Sequence, residues 1–188
     1  FLSASAGLQG LLANGIVSVA NVARNAFLDI TNSRIEGRSV EAEAKIGGKA
    51  QISSLQGGAS LAAAAAAVSV SDWDGEVRTR VAGGSLRATD GTITVRARNA
   101  AKTETQAKAG NVSAAAGSLM VAETHAHGST VVDVGNGGVF DAGKEKITLE
   151  AKNEEELSSK TVVGNIALGA GDISVVKAMF GAAGKAVQ

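Results

Sequence analysis

The sequence predicts an all-β chain wound as a parallel β-helix (β-solenoid), and three observations carry that prediction. The first is an internal repeat. Residues 93–121 (ITVRARNAAKTETQAKAGNVSAAAGSLMV) return without a gap as residues 147–175 (ITLEAKNEEELSSKTVVGNIALGAGDISV), each matched pair 54 positions apart. Ile93 matches Ile147, Asn99 matches Asn153, Gly110 matches Gly164 and Leu119 matches Ile173. A pattern of apolar and small residues that persists while identity falls marks a stacked structural unit. The second observation is composition: 24 glycines, no proline or tyrosine, and 3% aromatics. Large side chains normally supply about 1.5–3 kcal/mol each when buried. A chain of Ala, Gly, Val and Ser must instead draw stability from stacked backbones around a thin interior, as solenoids do. The third is alternation. Val40, Ala42, Ala44 and Ile46 oppose Glu41, Glu43 and Lys45, and Ile93, Val95 and Ala97 oppose Thr94, Arg96 and Arg98. That is the two-residue period of strands with one buried face.

Taken in order, the first copy is the weakest. Val17-Ser18-Val19 matches Val68-Ser69-Val70, and Ile35 matches Leu86, at an offset of 51; Val40 then matches Ile93 at 53. Matching Val70 to Val121 keeps 51 between the second and third copies, growing to 54 at Ile93/Ile147. The added residues are therefore expected in loops around Asp72–Gly75 and Ala88–Gly91, since loops absorb insertions. Copies are expected at 16–66, 67–117 and 118–171, with a truncated copy at 172–188, all within one solenoid covering 1–188. Within each copy, strands of about four to seven residues are expected between the turn-forming pairs Gly83-Gly84, Asp90-Gly91 and Asn136-Gly137. The run Ala62–Ala67 alone would favour helix. Its counterparts, Ser113–Ser118 and residues 166–171, contain glycine, so a strand wall of small residues is expected, with two walls approaching closely. The period divides most simply into two coils of about 25 residues with three short strands each, or alternatively into three. Two coils per repeat give about seven coils and a rod ~35 Å long at ~4.8 Å per coil.

Charge and composition exclude several functions. The 18 basic residues balance 18 acidic ones, and no basic stripe with interleaved aromatics offers nucleic acid a footprint. The absence of cysteine removes disulfides and thiolate metal sites. The Ala62–Ala67 run is too short to span a bilayer, so membrane insertion is not expected. The chain starts in mid-pattern at Phe1 and reads as a piece of a longer one.

Candidate chemistry falls in the segment after the VSV strand, read here as a variable loop: NVARNAF from Asn21, SDWDGE from Ser71, AETHAHGS from Ala122. Trp73, between Asp72 and Asp74, is expected at a loop tip, where an indole stacks on a sugar and carboxylates bind its hydroxyls. His125 and His127, with Glu123, share one face of a strand; zinc needs a further strong ligand, and no metal is expected. Offset 51 places Asp74 beside His125 as a surface ion pair. Glu154-Glu155-Glu156 matches Ala100-Ala101-Lys102 and reads as a solvated face. A threonine ladder of the ice-binding kind (Thr92, Thr94, Thr103, Thr105) is interrupted by Lys146, Glu150, Leu157 and Ser159. An enzyme would need carboxylates held at a defined separation. Only Asp72, Asp74 and Glu123 offer that, and nothing converges on them, so neither catalysis nor a cofactor is expected.

The phrases Gly91–Asn99 (GTITVRARN), Lys146–Asn153 (KITLEAKN) and Ala67–Ser71 (AVSVS) resemble the filamentous adhesins of Gram-negative bacteria, closest to the leukotoxin-type adhesins related to filamentous haemagglutinin. The resemblance implies a right-handed parallel β-helix, export across the outer membrane, and attachment to the extracellular cell surface. The expected role is the shaft of a filament that presents adhesive regions away from the cell. The alternatives are direct binding of a host or bacterial glycan or protein through residues 71–76 and 122–129, or a subunit of a self-assembling fibre. Expected partners are neighbouring coils, other copies in a fibre, or such a surface glycan or protein.

Overall fold

The computed structural model describes residues 2–6 and 11–180. They form thirteen strands and no helix. In chain order these are β1 (Leu2–Ala6), β2 (Leu11–Ala23), β3 (Ala26–Thr31), β4 (Arg34–Gly37), β5 (Val40–Ala59), β6 (Ala62–Ala82) and β7 (Ser85–Ala88). They continue as β8 (Ile93–Val112), β9 (Ala115–Val134), β10 (Val139–Asp141), β11 (Ile147–Asn153), β12 (Glu156–Ile166) and β13 (Gly169–Phe180). All pairing is parallel and falls into three stacked sheets. Sheet A stacks β1, β5, β8, then β11 and β12. Sheet B stacks β2 and β3, β6, β9, β13. Sheet C stacks β4, β7, β10. The chain visits A, B and C in turn and returns to A one layer further on, an arrangement consistent with a β-solenoid.

Hydrogen-bonded neighbours define the turn. Val17 pairs with Val68, Val40 with Ile93, Ala62 with Ala115 and Ile93 with Ile147. One repeat of 51–54 residues is therefore one turn, and the division into two coils is corrected. Sheets A and B hold four layers each, spanning ~14 Å at ~4.8 Å per layer rather than the ~35 Å of seven coils. The strands also outrun the expected four to seven residues: β5, β8 and β9 have 20 each and β6 has 21. The expected turn pairs fall around sheet C, whereas the Gly47-Gly48 pair, with Gly48 at φ 102°, interrupts the alternation inside β5 without ending the strand.

Those turns rest on backbone chemistry. Gly83 and Gly137 adopt φ of 61° and 81°, and Asn32 adopts 50°, left-handed conformations that Gly and Asn tolerate best. They stack, with Asn32 N–H on the Ala82 carbonyl at 3.0 Å and Gly83 N–H on the Asn136 carbonyl at 3.1 Å. The polyalanine run lies in β6, as its glycine-bearing counterparts predicted.

The interior has two parts. Near sheet C, the larger side chains Ile30, Val77, Val81, Leu86, Ile93 and Val95 pack together with Ala42 and Ala97. At the opposite end, where sheet A turns into sheet B, the core is Ala65, Ala67, Ala107, Ala109, Ala122 and Met120. Side chains this small let the two walls close on each other.

Between these clusters runs a line of hydroxyls, buried at Ser71, Thr105 and Thr124 and part-buried at Ser159, stepping from sheet to sheet as it climbs. Ser71 meets Thr105 at 2.5 Å, Thr105 meets Thr124 at 2.7 Å, and Thr124 meets Ser159 at 2.8 Å. Ser159 then donates to the Lys177 carbonyl at 2.7 Å. Thr79 also bridges the walls, accepting from the Ala44 N–H and donating to the Arg96 carbonyl. Buried polar groups are tolerated when they are paired in this way, and here the pairs tie one wall to the other.

Candidate functional site

The residues singled out for binding lie at mid-length of sheet B. The segments 71–76 and 122–129 are strand, inside β6 and β9, not loops. Between β6 and β9 the register is 53 throughout, so no residues are inserted at Asp72–Gly75. The two residues by which the second copy exceeds the first enter at 89–92. Between the second and third copies none is added around Ala88–Gly91, and one enters after Val134.

Trp73 occupies the inward side of β6 and is 4% exposed. The expected exposed indole is thus corrected: the ring is part of the interior and offers no face to a sugar. The Arg24 guanidinium lies over it at 4.8 Å from the ring centroid, a cation–π contact. Sheet B bends here. Gly75 and Gly128 stack at the bend, where a Cβ on Gly75 would lie 2.6 Å from the Arg24 carbonyl and one on Gly128 2.5 Å from the Gly75 carbonyl. Sheet A bends opposite, and Asn side chains turn the chain: Asn99 Oδ1 accepts the Ala101 N–H at 3.2 Å and Asn153 Oδ1 accepts the Glu155 N–H at 3.2 Å.

Between the two bends lies a partly open pocket of about 20 Å³ whose lining includes Arg24, Trp73, Asn99 and Glu155, room for one water. The Trp73 Nε1–H has no protein partner. Glu155 extends the register in which Lys102 faces Glu156, which puts it opposite the buried Ala101. It is half-buried rather than part of a solvated acidic face. Burial pushes its carboxyl above the ordinary glutamate value, with Arg24 and the Asn99 amide pulling the other way. Arg24, Asn99 and Glu155 are the members of this bend that sequence reasoning missed. The signal was the side of the strand each takes once the register is known.

Asp72, Asp74, His125 and His127 project outward. Asp72 is paired in register with His125, and Asp74 with His127, which corrects the expected Asp74–His125 neighbours. His125 Nδ1 lies 2.9 Å from Asp72 Oδ1. Its Nε2 is 3.5 Å from Glu123 Oε2, close enough for attraction but not aligned as a hydrogen bond. Lys177 in β13 is the register neighbour of Glu123. The arrangement is a cross-layer clamp of imidazole and carboxylates at the surface. Among the described residues no group of three or more His, Asp or Glu side chains is placed to hold a metal ion.

No protein-family model matches this chain, and neither a curated protein nor a solved structure matches it. No helix among the described residues is long and apolar enough to cross a membrane.

Proposed function

We propose that this chain is a length-holding shaft segment: a right-handed β-solenoid from the extracellular filament of a Gram-negative adhesin, carrying adhesive regions away from the cell. The observation that carries the reading is the constancy of register. Each pass through sheets A, B and C lays its residues over those 51–54 positions earlier, with the same inward and outward sides. A solenoid in which each layer contacts only its neighbours grows by simple addition. Several of the polar side chains singled out in the sequence hold layers together instead of facing a ligand. The Asp72–His125 contact joins neighbouring layers, and so do the Ser71–Thr105 and Thr124–Ser159 steps of the hydroxyl line. The cell-surface placement rests on the adhesin-like phrases GTITVRARN and KITLEAKN.

The test is electron microscopy of the segment carrying a globular marker at each end, alone and in tandem. A rigid rod whose marker separation increases with each added segment supports the shaft. Compact particles, or separation that does not scale, oppose it. The binding alternative now rests on the outward Asp72, Asp74, His125 and His127. Saturable glycan or protein binding lost in Asp74→Ala/His127→Ala would favour it.

A further inference from the structure

The outer surfaces of the two long walls differ sharply in chemistry. Sheet A is charged outside, with ion pairs linking layers: Arg96 reaches Glu41 at 3.3 Å and Glu150 at 3.0 Å, and Lys49 reaches Glu104 at 2.6 Å. Sheet B is apolar outside over its first half. Four columns of side chains run there along the stack. The first is Ala13, Ala64, Gly117 and Gly171; the second is Gly15, Ala66, Leu119 and Ile173. The third is Val17, Val68, Val121 and Val175. The fourth begins Val19, Val70 and carries the only two charges, Glu123 and Lys177. Val17 is 70% exposed and Ile173 63%. Along the small residues lies an open trough of about 490 Å³.

We infer that this face is a contact surface for a second copy of the same chain, paired laterally with the two stacking axes parallel. The inference is independent of the shaft reading, since it concerns the side of the solenoid and not its length. A two-fold axis parallel to the stack reverses strand direction across the interface and keeps the layers level. The first column of one copy then faces the fourth of its partner, and the second faces the third. The valine columns of each copy enter the trough of the other, which is the self-complementarity a two-fold contact requires. Glu123 and Lys177 pass over glycines at the rim, where their ends reach water. The Asp72–His125 pair falls opposite Ala62 and Ala115, with no like charge facing it. A two-fold axis along the strands would instead set trough against trough and leave a void, contrary to the density of protein interfaces.

The area decides the strength. Four columns about 6.7 Å apart and four layers ~4.8 Å apart cover ~500 Å² per copy. That is at the upper range of apolar patches on monomers and at the low end for specific association. The segment should therefore dimerise weakly and reversibly, and each further layer adds about 130 Å².

Sedimentation velocity over a wide concentration series tests this, with Val17→Lys and Leu119→Lys as face variants and Thr94→Lys, on the outside of sheet A, as control. Both face positions are exposed, and circular dichroism checks that the variants fold. The expected result is a monomer–dimer equilibrium in the native chain and in T94K, weakened at least about tenfold by either face substitution. The chain has no cysteine, and facing sheets pack about 10 Å apart, too far for a direct disulfide. Mixing A66C and V68C chains with a thiol-specific bismaleimide of matching span therefore supplies a second readout that does not depend on the lysine variants: a covalent link between the two copies. A monomer at every concentration overturns the inference, including one that floats with lipid vesicles. Association that survives both face substitutions also overturns it, because that is stacking through the strand edges. Failure of A66C to cross-link with V68C overturns the parallel two-fold arrangement.

Discussion

At the scale of single residues, Trp73 carries more apolar surface than any other side chain here, and its interior position fixes what its loss would do. Trp73→Ala should cost about 3–5 kcal/mol, read as a lower urea midpoint, because the walls at the bend cannot collapse fully onto the space left. Thr105→Val keeps the shape but removes the Thr105 partner of the Ser71 hydroxyl, while Thr124 keeps its contact with Ser159. A loss of about 1–3 kcal/mol is expected; no loss would show that the hydroxyl line contributes nothing. Glu155 gives a pH signature. Its folded-state carboxyl titrates above the ordinary value of 4.5, so the folded chain holds that proton more tightly than the unfolded one. Stability from this group is present below about 4.5 and is lost as pH rises above it. Glu155→Gln should therefore melt higher than the native protein at neutral pH, with the gap closing as pH falls through that value. A constant gap would show that burial at the bend does not act on the carboxyl. Little of this was legible in the sequence. The tetrapeptide Asp72-Trp73-Asp74-Gly75 carries the residues of a turn, yet counting back by twos from the buried Val77 puts Trp73 inside. The strand alternation held where local turn propensity pointed the other way.

At the scale of elements, the long walls were legible in their faces and not in their registers. Inward and outward sides follow from period two, so Val40, Val95 and Val81 were assigned correctly. A slip of two residues leaves every side unchanged, and so matching Val70 to Val121 looked as sound as the actual pairing of Val70 with Glu123. That slip misplaced the insertion and joined Asp74 to His125. The bends were hidden for another reason: they need only small residues stacked in column, and glycine is common all along the chain. Gly75→Ala should cost about 1–3 kcal/mol, since its Cβ meets the backbone of the layer below and the strand must shift. Gly47→Ala, with open space around the added methyl, should be close to neutral. Thermal melts of the pair check whether close backbone stacking at the bend is real. Equal effects would contradict it.

At the scale of the whole molecule, the repeat was the strongest signal in the sequence, and its division was the weakest inference. The period was legible because equivalent residues stack upon one another. The number of turns inside it was not, because a 20-residue wall and two short strands share the same alternation. The described layers make each 51–54-residue repeat one wide turn with two long walls and a short third side, and the shaft and lateral-pairing proposals inherit that geometry. Thr94 and Thr148 test it most directly. They are register partners in adjacent layers of sheet A, where Cα atoms lie ~4.8 Å apart, within the ~4.4–6.8 Å that a disulfide spans. In the cysteine-free chain, T94C/T148C should oxidise to one intramolecular disulfide in the folded protein, with native circular dichroism, seen by mass spectrometry under non-reducing conditions. Two free thiols in the folded chain would contradict a single turn per repeat, the more so if Thr94→Cys instead cross-linked to a position about half a repeat away.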